Sequence, residues 1–249
     1  MTPWGYAATA GAGLLAGGIN TIVGSGSLIT FPTLVALGYS PLVANVSNTV
    51  GLVPGSVSGA FGYRRELVGQ KGRAVRLGIF SLLGGVAGAV LLLAAPGSFQ
   101  AVVPYLVLAA VAMVVVQPHL ARRLAERGRP PKDSGGALLR VGVFATAVYG
   151  GYFGAAQGVI LIGLLGIGLA DDIQRVNALK NVLAALVNGA AAVVFIIDGP
   201  VRWGPALVLA AAAIVGAQLG ARVGRRLPAQ VLRAVIVVAG LAVAGKLLA

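Results

Sequence analysis

The first 63 residues contain no Asp, Glu, Lys, Arg or His, and no other feature limits the fold so severely. An ordinary soluble domain carries about 25% charged residues, whereas this 249-residue chain is 10% charged and 58% hydrophobic. Apolar stretches recur along it, several close to the roughly 20 residues that a helix needs to cross about 30 Å of hydrocarbon. Val, Leu, Ala and Gly run continuously, without the alternation over about ten residues that marks a transmembrane β-strand. The expected fold class is therefore an all-α polytopic membrane protein.

Composition narrows the function classes. Cysteine is absent and His119 is the single histidine, so disulfides, thiolate metal sites and histidine clusters are excluded, and no metal or cofactor is expected. The formal charge of +13 sits in short stretches between apolar segments. That placement points to a cytoplasmic membrane face and its anionic lipids, not to nucleic acid. The N-terminus, Met1-Thr2-Pro3-Trp4, lacks the positive region of a cleavable signal peptide, so the first apolar stretch reads as a retained membrane segment.

Breaks at Gly, Pro and charge divide the chain into segments at about 4–23, 26–37, 43–62, 77–95 and 99–120, then 137–156, 158–169, 174–197, 203–221 and 230–248. The expected organisation is an N-terminal membrane repeat over 1–121, a basic linker over 122–136 and a C-terminal repeat over 137–249. Segments 26–37 and 158–169 are too short to cross alone and hold the same place in each series. Counting each as one pass puts three basic clusters on the cytoplasmic side: Arg64 to Arg76, Arg122 to Arg140, and Arg222 to Arg233. Five segments per half is an odd number, so the second half starts from the opposite face, which makes an inverted repeat. An offset of 132 aligns Gly26 with Gly158, Asn45 with Asn177, Asn48 with Lys180, Thr49 with Asn181 and Ser56 with Asn188. Inverted repeats with short, Gly-interrupted segments point to a transporter binding site near the bilayer midplane.

Asn45, Asn48, Thr49 and Ser56 share one helical face, and Asn177, Lys180, Asn181 and Asn188 repeat that stripe. Polar groups rarely face lipid, so both stripes are expected inside, where they either bind substrate or tie helices together. Lys180 either faces a cavity, with a small anion as its natural partner, or snorkels to the interface. N-H groups freed near Gly24-Ser25-Gly26 and Gln157-Gly158, at the start of short helices, would suit the same anion. Gly24-Ser25-Gly26 also has the form of a nucleophile elbow, but no acid or base lies nearby in the apolar segment and no enzyme is expected. Asp171 and Asp172 read either as a solvated loop beside Arg175 or as a proton relay.

The run from Gly17 to Leu67 ("GGINTIVGSGSLITFPTLVALGYSPLVANVSNTVGLVPGSVSGAFGYRREL"), with "GGYFGAAQGV" and "NALKNVLAALVNG", resembles the sulfite exporter TauE/SafE family of membrane permeases. The resemblance implies a bacterial inner-membrane carrier for small, chiefly sulfur-containing anions. It maps the family's glycine cluster onto Gly24 and Gly26, its following proline onto Pro32, and its Asn-Thr pair onto Asn48 and Thr49. The sequence departs from the family pattern at Ser25, Ser27 and Ala156-Gln157-Gly158. The expected function is a secondary transporter for a small anion by alternating access, with a membrane scaffold or anchor subunit and an anion channel as the competing classes. The substrate site is expected at Gly24, Ser25, Gly26, Asn45, Asn48, Thr49, Gln157, Gly158, Asn177, Lys180 and Asn181, and pairing of two copies is a further expectation.

Overall fold

The computed structural model describes residues 1–126, 136–169 and 171–223, with 237, 238, 241, 242, 244, 245 and 247 beyond them. Arg127, Arg129 and Lys132 of the linker, Arg225, Arg226 and Arg233 of the third basic cluster, and most of the tenth predicted segment lie outside the described residues. Regular structure among the described residues is helical throughout, as hydrocarbon demands of a chain that must satisfy its own backbone. The order is α1 (Pro3–Ile22), α2 (Ser27–Ala36), α3 (Pro41–Gly62), α4 (Lys71–Ala94), α5 (Pro96–Glu126), α6 (Ala137–Tyr152), α7 (Gln157–Gly168), α8 (Ile173–Asp198) and α9 (Trp203–Val223). By length and composition α4, α5 over Pro96–Val116, α8 and α9 over Trp203–Arg222 are each able to cross a membrane.

Local chemistry sets the helix starts. Thr2 Oγ1 accepts from Gly5 N at 3.2 Å with Pro3 in the first turn, and Asp172 Oδ1 accepts from Gln174 N at 2.8 Å. Each satisfies an N–H that has no partner within its helix. Between helices, small residues allow close approach. Gly216 meets the Leu14 backbone and Gly17 the Ala213 backbone where α1 crosses α9, and Gly88 meets Val148 where α4 crosses α6.

The two short helices do not run onward through the bundle. Leu37, just beyond α2, packs beside Gly5 at the start of α1, and the Leu139 side chain at the start of α6 lies beside Gly168 at the end of α7. Each short helix therefore returns along the helix before it, giving two helical hairpins. A return hairpin leaves the chain on the side where it entered, as two full passes would, so the path differs from the predicted one while the count of sides is unchanged. At 1.5 Å per residue α1 is about 30 Å long and α2 about 15 Å. The turn between them is buried, with Val23 3% and Ser25 1% exposed.

The hairpin tips meet. Gly158 N donates to Gly24 O at 3.1 Å, and a Cβ on either glycine would overlap the other's Cα. Aromatic rings back the contact: Phe31 and Phe153 stack edge to face at 5.3 Å, with Phe99 at 6.0 Å from Phe153.

Candidate functional site

Both tips owe their shape to residues in the left-handed region: Gly24 (φ 87°) in the first, Gly154 (φ 76°) and Ala156 (φ 59°) in the second. Free N–H groups are expected at these breaks from sequence, but here those of Gly24, Gly26, Gln157 and Gly158 all donate internally. Gly24 N bonds Ile19 O at 2.9 Å, Gln157 N bonds Gly154 O at 3.3 Å, and Gly26 N bonds the Asn20 side-chain oxygen at 2.6 Å. With no side chains between them, the glycines let backbone meet backbone, and that contact takes up the Gly158 amide, while the other three are bonded within their own hairpins.

The polar stripes end the hairpins' first helices. Lys180 Nζ donates to Asn20 O at 2.8 Å and Thr21 O at 3.4 Å, while Asn177 Nδ2 and Asn181 Nδ2 each reach Thr21 O at 3.2 Å. Across the tips, Asn45 Nδ2 donates to Tyr152 O at 2.9 Å. The acceptors are last-turn carbonyls of α1 and α6, which lack partners within their own helices and carry the negative end of the dipole. Asn48 Oδ1 accepts from Thr30 Oγ1, Thr49 Oγ1 donates to Asn45 O at 3.0 Å, and Asn188 Nδ2 donates to Ser56 Oγ at 3.2 Å.

Beside the tips lies a cavity of about 20 Å³, room for about one water molecule. Gly24, Gln157, Gly158 and Asn181 line it, together with Asn20, Thr21, Ser27, Ser56, Gly154, Ala184 and Asn188. The lining is uncharged and rich in amides and hydroxyls. Of the remaining predicted residues, Ser25, Gly26, Asn45, Asn48, Thr49, Asn177 and Lys180 lie outside the lining. Lys180 is fully buried behind it, so its ammonium does not snorkel. Sequence reasoning misses Asn20 and Ser27, although both are polar residues within six positions of the break in an otherwise apolar stretch. It places Ser56 and Asn188 on the stripes without counting them in the site.

Several buried polar atoms at the tips have no hydrogen-bond partner among the described residues: Ser25 Oγ, Gln157 Nε2, Asn45 Oδ1 and Asn177 Oδ1. Such atoms are costly in a native interior. Gln157 Nε2 is the one carried by a side chain that lines the cavity, and its amide packs against Gly150, where any side chain would collide with it. Ser25 Oγ reaches no base, which leaves the elbow-like motif without a nucleophile's activating partner.

A second polar cluster joins the α3–α4 loop to the α7–α8 turn. Asp171 accepts from Arg73 at 2.6 Å and from Arg175 at 2.7 Å. Arg175 Nη1 reaches Val68 O at 3.1 Å and Gln70 Nε2 reaches Arg175 O at 3.0 Å. Burial pushes the Asp171 carboxyl up, but the two guanidinium hydrogen bonds outweigh it and hold the group below its ordinary value.

Long apolar helices around two short ones that meet tip to tip at a polar pocket define a class, the multi-pass membrane transporters. The chain belongs to the sulfite exporter TauE/SafE family, whose model matches residues 9–247. It is 27% identical over 241 residues to the probable membrane transporter protein YfcA of Escherichia coli strain K12, covering 94% of this chain and 86% of that protein. A probable membrane transporter protein of Haemophilus influenzae is 28% identical over 224 residues, covering 84% of this chain and 81% of its own, and the probable membrane transporter protein ORF9 of a Sinorhizobium species is 26% identical over 239 residues, at 96% and 90%. No solved structure matches the chain.

Proposed function

We propose that the chain is a secondary transporter for a small anion, a sulfur oxyanion or an organosulfonate, and that the substrate binds where the hairpin tips meet. The observation that carries this is the cavity lining: residues bearing amides and hydroxyls, Asn20, Ser27, Gln157, Asn181 and Asn188 among them, and no carboxylate. Neutral donors recognise an anion's oxygens in a low-dielectric site without the desolvation cost of a buried arginine. The family's name, sulfite exporter, favours sulfur chemistry. Room for about one water is less than such an anion needs, so on this reading the tips part for substrate to enter, which supports a carrier working by alternating access.

The neighbours of the two hairpins support an inverted repeat. α1 lies against α9 as α6 lies against α4, α3 pairs with α9 as α8 pairs with α4, and α3 meets α8 directly. Exchanging the members of the two five-segment series maps this set of neighbours onto itself. With the basic clusters at a cytoplasmic face and its anionic lipids, this makes a multi-pass inner-membrane carrier.

The scaffold reading has one observation in its favour, that Asn45, Asn177 and Lys180 tie helix ends together. Thiol labelling separates the two, because the chain has no cysteine of its own. Gln157→Cys should label slowly as the tips open and be protected by sulfite; a rate indifferent to sulfite would favour the scaffold.

A further inference from the structure

Lys180 is the one charged side chain buried in the bundle among the described residues. Its hydrogen bonds all go to carbonyls, those of Asn20 and Thr21, and these two residues also line the cavity. A charge at Nζ therefore sits one peptide group behind the pocket wall. A buried ammonium is costly unless opposite charge lies close; the dipole end of α1 offsets part of that cost, but among the described residues no carboxylate faces this one. The elements packed on α8 carry Tyr6 (α1), Lys71, Arg73 and Arg76 (α4), and Arg140, Tyr149 and Tyr152 (α6), while α3 and α7 carry no titratable side chain. On or beside α8 itself, Asp171 is engaged by Arg73 and Arg175, Asp172 caps the helix, and Asp198 ends it.

We propose that Lys180 carries a proton that this transporter moves together with its anion. The inference rests on the transport reading given above. An anion in the cavity supplies the missing opposite charge, so it stabilises the ammonium. By reciprocity the protonated chain binds the anion more tightly. The geometry tolerates both states, because two carbonyl acceptors need two N–H donors and both the ammonium and the neutral amine provide them. On loading, the Nζ lone pair takes a proton from water on the side that delivers the anion. On unloading, it returns the proton to water on the other side. A proton gradient would then drive accumulation, and no carboxylate in the bundle is needed for the coupling.

The test uses the full chain in proteoliposomes with labelled sulfite, at a pH high enough that sulfite is fully deprotonated and carries no proton of its own. An imposed proton gradient should drive sulfite accumulation by the unmodified protein. Lys180→Gln and Lys180→Arg should each lose at least about tenfold of the gradient-driven component, read as the ratio of sulfite uptake with the gradient to uptake without it, since neither side chain titrates in this range. Accumulation at the unmodified level in either variant overturns the proposal. Exchange by the unmodified protein that ignores the gradient overturns it too, and leaves the transport reading intact. Absence of any exchange sinks both. Should both variants misfold, adding sulfite to weakly buffered, solubilised unmodified protein decides: uptake of about one proton per anion bound supports the coupling, and no uptake overturns it.

Discussion

Gly24 and Ala156 stand 132 residues apart, the offset that aligns the two broken segments, and both adopt left-handed backbone. Only the first is a glycine, so the two tips carry unequal strain. Gly24→Ala must both strain φ and push a methyl into Gly158, and should cost roughly 2–4 kcal/mol. Ala156→Gly relieves strain at the price of unfolded-state entropy and should stabilise by up to about 1 kcal/mol. Thermal unfolding in detergent measures both, and wild-type stability in Gly24→Ala would mean that the tips do not touch. At this scale the sequence is only partly informative. The polar residues at helical spacing announce Asn45, Asn177, Lys180 and Asn181, but their target, the last-turn carbonyls of α1 and α6, is a tertiary fact. Asn20 escapes notice because a lone amide in an apolar helix carries no periodic signal.

Among the elements, the helix spans are legible wherever apolarity marks them, as in α1, α7 and α8. The start of α4 is not. It begins at Lys71, six residues before the predicted 77, because Lys71, Arg73 and Arg76 suit a helix and yet read as loop when charge is taken as a boundary. The return of α2 along α1 is equally hidden, since a segment of ten residues is compatible with a partial crossing or a reversal and only packing chooses. The loop latch on Asp171 gives a prediction of its own. Its folded-state carboxyl titrates below the ordinary 3.8, so the stabilisation is complete at neutral pH and is lost as pH falls through that depressed value. Asp171→Asn should therefore lower stability by roughly 1–2 kcal/mol at neutral pH and converge with the parent in strong acid. A difference that persists unchanged in acid would show that the carboxylate charge is not what the latch uses.

For the molecule as a whole, the all-helical membrane fold follows from composition alone, because a chain this apolar has no other way to satisfy its backbone in lipid. What composition cannot convey is where the pocket forms. Segments far apart in sequence must meet for Gly24 to touch Gly158 and for Asn188 to reach Ser56, and such pairings carry only the faint signature of an internal offset. On the proposed reading, the meeting of the tips binds an anion and moves it. Counterflow measures that most directly: proteoliposomes loaded with unlabelled sulfite are placed in a trace of labelled sulfite, and uptake is followed. The account predicts a transient overshoot of label, abolished by Gln157→Ala with Asn181→Ala in protein that remains folded. A folded, reconstituted chain that shows no overshoot, or a double variant that exchanges as fast as the parent, would contradict it.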